Sequence, residues 1–322
     1  MLIANPKATS TSQRARDVLV RAFSGDLDLH VAETGHRGHA TELGRQAAEE
    51  GYDVVVVLGG DGTVNETVNG LLADGPSPDL PALAVLPCGS ANVFARAVGL
   101  PNDPLAATRP VLEALRAGRY RTVGLGTALL TGGSSGMAGH DRAGGTERYF
   151  TFCAGVGLDA EVVREVERRR VAGAKADPSL YVRTTLRQYF TGTDRKQATL
   201  TLEQPGQPAR PGLFFAFVSN TAPWTFMGRR PLNLTPRANF SRGLDVFGMR
   251  SMDVLPMAGA VAQMLLGGNR LVQGRHVLNV HDAAELTLRA ERPVAFQLDG
   301  DYLGEQECIT FRSVPKAIRV VI

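Results

Sequence analysis

Apolar positions in the first third of the chain alternate between short continuous runs and stripes spaced three and four residues apart. Leu2–Ala4 is a run, and Ala15, Val18, Leu19, Ala22 and Phe23 follow at the i, i+3, i+4, i+7, i+8 spacing of one buried helix face. The rhythm then predicts strand Leu27–Ala32, helix Ala40–Glu50 stopped by Gly51, strand Val54–Leu58, helix Val64–Ala73 and strand Ala82–Leu86. A last helix, Pro104–Ala117, ends at Gly118, the residue type that most easily takes the left-handed conformation beyond a helix. Strands that alternate with helices in this way imply a doubly wound parallel sheet with helices on both faces.

Past Tyr120 the pattern changes to strands rich in Val, Phe, Leu and Thr: Tyr149–Cys153, Ala198–Leu202, Phe214–Ser219, Glu285–Leu288 and Val294–Leu298. This half reads as mainly β. One or two helices interrupt it across Ala160–Tyr189, and the Gly/Ser-rich run Thr131–Glu147 reads as a hairpin tip with no assigned function. The composition shift puts a domain boundary near residue 122, giving domains 1–122 and 123–313.

Composition narrows the function class only slightly. A chain of 322 residues suits two domains, and 43% hydrophobic with 21% charged residues is a globular balance. Lys and Arg exceed Asp and Glu by only 35 to 32, so nucleic acid is not an indicated partner. Cys88, Cys153 and Cys308 fit neither a disulfide framework nor a common zinc spacing, which points to a reducing cytoplasm. Leu2 already opens a strand, so no export leader is read at the start. Apolar runs such as Val54–Leu58 are far below the roughly 20 residues that span a bilayer, so any membrane contact is expected to be peripheral. The oligomeric state is open, and a homo-oligomer is compatible with the chain.

The strongest chemical signal is Gly59-Gly60-Asp61-Gly62-Thr63, between a strand and a helix. Ligands of open α/β sheets bind at the carboxyl ends of strands, and the N-terminus of a following helix offers N–H groups and a positive dipole end to a phosphate. The glycines allow close approach, Asp61 offers a hard oxygen for Mg²⁺, and Thr63 a hydroxyl. The same letters also describe a plain Gly-rich turn in which Asp61 only caps the helix. A second loop, Leu86-Pro87-Cys88-Gly89-Ser90-Ala91-Asn92, follows the next strand, while Asn5-Pro6 and Thr34 follow the first two. Alone, Asn5-Pro6 reads as an ordinary turn, and Asp299-Gly300-Asp301 after Val294–Leu298 as a hairpin turn.

Taken in order, these motifs resemble the diacylglycerol kinase catalytic family, which includes sphingosine and ceramide kinases and soluble bacterial lipid kinases. Asn5-Pro6, Gly59–Gly70 with Glu66 and Asn69, Pro87-x-Gly-Ser-x-Asn-x-Phe-Ala-Arg96, Gly155-x-Gly-x-Asp-Ala, Gly243-Leu-Asp and Asp299-Gly-Asp carry the resemblance across nearly the whole chain. It implies an N-terminal α/β domain and a C-terminal β-sandwich with inserted helices, an ATP cleft between them, and a last strand, about 314–322, that returns to the first domain. Around the nucleotide it implies Asn5, Pro6, Lys7, Ala8, Thr9, Thr34, Gly59, Gly60, Asp61, Gly62, Thr63, Val64, Asn65, Glu66 and Ser90, with Asp61 on Mg²⁺. It implies Asp301 as the base that takes the lipid hydroxyl proton, and Asp61 as its catalytic partner on the phosphates.

The expected activity is thus ATP- and Mg²⁺-dependent phosphorylation of a lipid hydroxyl, with diacylglycerol to phosphatidic acid first among the acceptors. Two readings compete: a dinucleotide kinase of the NAD kinase type, which shares the Gly-Gly-Asp-Gly-Thr turn, and a catalytically weak lipid- or nucleotide-binding regulator. The second draws on departures from the family pattern. Asp301 stands where the base is usually Glu, and Val93 where Asp is common. Residues near Gly124 and Ser241 are neutral where soluble bacterial relatives hold a structural magnesium, and Arg242 offers a fixed positive charge instead. From Glu161 to Lys196 the chain carries nine basic and five acidic residues, and Arg168, Arg169, Arg170 and Lys175 form a candidate face for anionic lipid.

Overall fold

The computed structural model describes residues 1–8, 13–131, 140–142, 145–172 and 178–322. They form two compact units, Met1–Leu125 with Pro315–Ile322, and Gly126–Val314. Among the described residues no helix is long and apolar enough to cross a membrane.

The first unit contains β1 (Leu2–Ala4), α1 (Gln13–Ser24), β2 (Val31–Glu33), α2 (His39–Glu49), β3 (Val54–Gly59), α3 (Asp61–Leu71), β4 (Ala82–Pro87), α4 (Val93–Ala97), α5 (Pro104–Arg116) and the start of β5 (Tyr120–Leu130). Strands β4, β3, β1 and β2 lie side by side in that order, all parallel. Continuous apolar runs such as Val54–Leu58 belong to strands covered on both faces, and Val55, Val56, Val57 and Leu58 are all buried. Helix α5 begins where its sequence says it should: Asp103 accepts the Ala106 N–H at 2.8 Å and Pro104 takes the first helical position. Helices α2 and α3 meet backbone to backbone, since a Cβ on Gly70 would stand 2.1 Å from the Thr41 carbonyl oxygen. Two boundaries differ from the sequence pattern. The strand expected at Leu27–Ala32 starts only at Val31, because Asp26 and Leu27 donate back to the Phe23 carbonyl and prolong the end of α1. Helix α3 starts at Asp61, not Val64, so Asp61, Gly62 and Thr63 are its first turn.

The second unit adds β6 (His140–Arg142), β7 (Gly145–Phe150), β8 (Cys153–Val156), α6 (Leu158–Val171), α7 (Pro178–Arg187) with a π-helical turn Gln188–Gly192, β9 (Leu200–Glu203), β10 (Arg210–Leu213) and β11 (Phe215–Ser219). It continues with β12 (Thr225–Met227), β13 (Arg230–Leu232), β14 (Leu244–Met249), α8 (Val254–Leu266), β15 (Val277–Ala283), β16 (Glu285–Leu298) and β17 (Asp301–Val321). The two strands expected at Glu285–Leu288 and Val294–Leu298 are one long strand, β16, with a register shift in its pairing with β17 between Arg289 and Val294. Its end pairs with β8, followed by β11, β14 and β15. Its beginning pairs with β9, which leads to β10. These parts share one core that includes Phe150, Val156, Leu202, Val246, Phe296 and Phe311. A second cluster packs α6, α7 and α8 against Phe215, Phe217 and Phe247 of the sheet. The run Thr131–Glu147, read as a hairpin tip, falls largely outside the described residues.

The last residues return to the first unit, where Val320 pairs in parallel with Leu83 of β4. Ala317, Ile318, Val320 and Val321 are buried there, and Arg319 donates to the Leu80 carbonyl at 2.7 Å while covering the Tyr120 ring.

Candidate functional site

In the first unit, the carboxyl ends of four parallel strands put Asn5, Thr34, Gly60 and the loop at Gly89 along one sheet edge, since β1, β2, β3 and β4 end at Ala4, Glu33, Gly59 and Pro87. Asn5 Nδ2 donates to Thr63 Oγ1 at 3.1 Å, tying the end of β1 to the first turn of α3, and Asn5 Oδ1 accepts the Lys7 N–H at 2.9 Å. Thr34 N–H donates to the Ala4 carbonyl at 2.9 Å. The Gly60 and Gly89 loops touch through their backbones: a Cβ on Gly89 would lie 2.8 Å from Gly60 Cα, and one on Gly60 3.1 Å from Gly89 Cα. Side chains at either position would push the loops apart. Asn92 holds the second loop, accepting the Gly89 N–H and donating to the Gly89 carbonyl, both at 2.8 Å.

Gly60 caps α3, so Asp61 stands in its first turn, where N–H groups lack intrahelical acceptors and the dipole is positive. One oxygen of Asp61 accepts the Phe94 N–H at 3.2 Å, linking this turn to the start of α4. Arg96 lies within electrostatic reach; burial lowers its pKa and the Asp61 charge raises it. Among the described residues no three His, Cys, Asp or Glu side chains gather to hold a metal. A single carboxylate suits a magnesium ion that arrives on substrate phosphates and keeps its waters, which is how that ion commonly binds. The residues present therefore fit a nucleotide-borne Mg²⁺.

Other residues implied by the resemblance stand elsewhere in this unit. Val64 and Asn65 are buried, and Asn65 Oδ1 accepts from Asn69. The Glu66 carboxylate is engaged at the start of α2, accepting the Gly38 N–H at 2.9 Å and the Ala40 N–H at 3.3 Å. Pro6, Lys7 and Ser90 are exposed, and Ala8 is half-buried. Thr9 lies outside the described residues.

In the second unit, Asp299 and Gly300 have φ of 49° and 84°, and Leu298 pairs with Asp301 across them. This is the two-residue hairpin turn for which Asp-Gly is suited. Asp299 is buried and accepts four hydrogen bonds, from Thr151 N–H (2.6 Å), Thr151 Oγ1 (2.8 Å), Phe152 N–H (3.0 Å) and Cys153 N–H (3.1 Å). That wrap explains why the strand expected at Tyr149–Cys153 breaks into β7 and β8. Burial pushes the Asp299 carboxyl up, and the four donors pull the other way. Asp301 remains partly exposed, with Oδ2 4.0 Å from Nη2 of the buried Arg148. Neither Arg148 nor the Asp299 wrap was visible in the motif alone.

Near the position of the missing acidic cluster, Arg242 Nη1 contacts Asp282 Oδ2 at 3.2 Å, and Asp282 also accepts the Gly243 N–H at 2.6 Å. In the candidate basic face, hydrogen bonds from Arg168 and Arg169 pull the Glu165 carboxyl down to about 2. Lys175 lies outside the described residues.

The first part of the chain is similar in sequence, and the whole chain in fold, to known proteins. Residues 1–128 match the diacylglycerol kinase catalytic domain. A probable lipid kinase YegS-like of Chromohalobacter salexigens is 42% identical over 112 residues, 35% of each chain. A diacylglycerol kinase of Staphylococcus saprophyticus is 35% identical over 97 residues, 30% of this chain and 31% of its own. The matched stretch thus spans about a third of these relatives. In fold, a putative diacylglycerol kinase from Bacillus anthracis superposes with a TM-score of 0.71 at 22% identity, covering 99% of this chain and 96% of the other. Yeast NADH kinase complexed with NADH gives 0.53 at 10% identity, covering 100% and 83%. The loops that end β3 and β4, and the helices they start, thus lie within the stretch, residues 1–128, that matches the diacylglycerol kinase catalytic domain.

Proposed function

We propose that this protein is an ATP- and Mg²⁺-dependent lipid kinase that phosphorylates a lipid hydroxyl, with diacylglycerol as first candidate and phosphatidic acid as product. The observation that carries the reading is the convergence of Gly60, Gly89 and the first turn of α3, with Asp61, at one sheet edge. Close backbone approach, a helix N-terminus and one hard carboxylate together suit a polyphosphate. Gly59–Thr63 with Asn5 would receive the phosphates, and first-turn N–H groups would stabilise charge on the transferred group. Asp61 would hold a magnesium ion carried by the phosphates, which would neutralise part of that charge. Asp301, half-buried just past the Asp299-Gly300 turn, would take the proton of the acceptor hydroxyl.

Lipid substrates call for contact with a bilayer. Val182, Leu186 and Phe190, at i, i+4 and i+8 on α7 and its π-helical turn, are each more than half exposed, and Arg183 and Arg187 lie between them with no carboxylate from Pro178 to Thr193. That apolar and basic composition supports peripheral docking on anionic lipid from the cytoplasmic side.

The test is incubation with labelled ATP and a total lipid extract, then identification of the labelled species. A labelled diacylglycerol product is expected. The fold likeness to NADH kinase makes a dinucleotide the competing acceptor, so NAD and NADH belong in parallel reactions. Label in the dinucleotide alone, or ATP binding without transfer to anything, overturns the lipid-kinase reading.

A further inference from the structure

The turn that carries Asp301 has a second buried support, which the proposed reaction does not use. Gln297, the next residue but one before the turn, is 1% exposed. Its Oε1 accepts the Gly300 N–H at 2.8 Å, and its Nε2 donates to Asp159 Oδ2 at 2.7 Å. The other contact of Nε2 is Cys153 Sγ at 3.9 Å, a weak acceptor. Asp159 stands in the first turn of α6, two residues after Gly157 of the Gly155-x-Gly157 pair. Gly155 faces Gln297 across β8 and β16, and a Cβ on it would lie 2.1 Å from Asp159 Oδ2 and 2.7 Å from Gln297 Nε2. The bare backbone at 155 is what lets the two side chains meet.

A glutamine amide has one donor end and one acceptor end, and a flip exchanges them. Flipped, Gln297 would present its NH₂ to the Gly300 N–H, donor against donor. An acceptor at Asp159 removes that choice. Burial pushes the Asp159 carboxyl up to about 7, while the Gln297 hydrogen bond works in the other direction; a carboxyl accepts from Nε2 in either protonation state.

We propose that Asp159 is a positioning residue: it fixes the Gln297 amide, which holds the Gly300 N–H and so sets where the Asp301 carboxylate stands. The catalytic part of this rests on the reading of Asp301 as the base; the hydrogen-bond relay does not. A misplacement of about 1 Å in a catalytic group can cost on the order of a hundred-fold in rate, so a small shift of the turn is enough to register.

The relay is read in the full-length chain, labelled with ¹⁵N-glycine, from hydrogen exchange at the Gly300 amide, and its catalytic consequence from lipid phosphorylation. Asp159→Asn keeps an acceptor, so Gly300 protection and kcat should stay within about threefold of wild type. Asp159→Leu and Gln297→Met each break the relay; Gly300 should exchange at least about tenfold faster, and kcat fall at least about tenfold with KM for ATP within about twofold. The double variant should be no slower than the worse single one, as for residues acting as a unit. Should Asp159→Leu not fold, Gln297→Met alone carries the test. Unchanged protection in either relay-breaking variant overturns the proposal. So does an Asn variant as slow as Leu, since Asp159 would then act through its charge or proton. A wild type that phosphorylates no lipid, with the expected exchange pattern, refutes the lipid-kinase reading and supports the relay.

Discussion

The Asp159 carboxyl makes a stability prediction that needs no substrate. Its pKa of about 7 in the folded chain, raised chiefly by burial, compares with 3.8 for an unperturbed aspartate. The native state then binds this proton more tightly than the unfolded state. The stability it contributes is fully present below the unfolded value and is lost as pH rises through about 7. At about 1.4 kcal/mol per pKa unit the whole span is worth up to about 4 kcal/mol, of which roughly 2–3 kcal/mol falls between pH 5 and pH 8. The residue retains some solvent contact, so these are upper values. Asp159→Asn cannot ionise and removes the dependence, while any packing cost of the amide is the same at every pH. The variant should therefore gain on wild type by roughly 2–3 kcal/mol from pH 5 to pH 8. The single tryptophan, Trp224, belongs to the second unit, so its fluorescence in urea follows the unit that holds Asp159. A difference between the two proteins that stays flat within about 0.5 kcal/mol over that range would falsify the buried-carboxyl assignment.

Four further outcomes follow from the sites. Asp61→Asn should abolish phosphoryl transfer and leave the urea midpoint within error, and a wild-type rate with normal magnesium dependence speaks against the phosphate site. Asp301→Asn should lower kcat at least about a hundred-fold with ATP binding intact, and Asp301→Glu should also lose activity because one more methylene displaces the carboxylate by about 1 Å; near-normal turnover of the Asn variant reduces Asp301 to a turn residue. Glu66→Ala removes the acceptor for two N–H groups at the start of α2 and should cost about 1–2 kcal/mol in stability, measured by urea unfolding. Replacing Arg168, Arg169 and Arg170 by Glu should weaken binding to anionic vesicles at low salt without changing ATP affinity; unchanged vesicle binding moves the docking surface elsewhere.

How far the sequence led depended on whether a residue signals through its neighbours in the chain or through partners far along it. The run Val54–Leu58 and the stripe after it announce a buried strand and a covering helix, because periodicity is a local property. The same rule misplaced the start of α3 by a turn, since Asp61, Gly62 and Thr63 are helical without being apolar. Helix α8 gave no amphipathic stripe at all: it carries no charged residue, and Leu255 and Leu266 are more than four-fifths exposed. At the sheet edge, Asn5, Gly60 and Gly89 lie far apart in sequence, and only parallel strand order brings their loops together. Gln297 was invisible for a different reason. A lone polar residue at an alternate position of a strand ordinarily faces solvent; here the missing side chain at Gly155 opens room for it inside. Asp159 was legible as a member of a motif, but its partner 138 residues away was not.

The return of Pro315–Ile322 to the first unit has a consequence for biosynthesis. Residues 1–125 leave the ribosome first, yet the strand that pairs beside Leu83 is made almost two hundred residues later. Until then β4 is an open edge of Ala, Leu and Val, the kind of surface that recruits strands from other chains. The nascent unit must therefore wait, with its Gly60 and Gly89 loops already synthesised but one border unsealed, while the second unit is made. Truncation after Val314 would leave that border permanently open, so the short terminal strand acts as a late fastening whose loss should appear first as aggregation during expression and only then as lost activity.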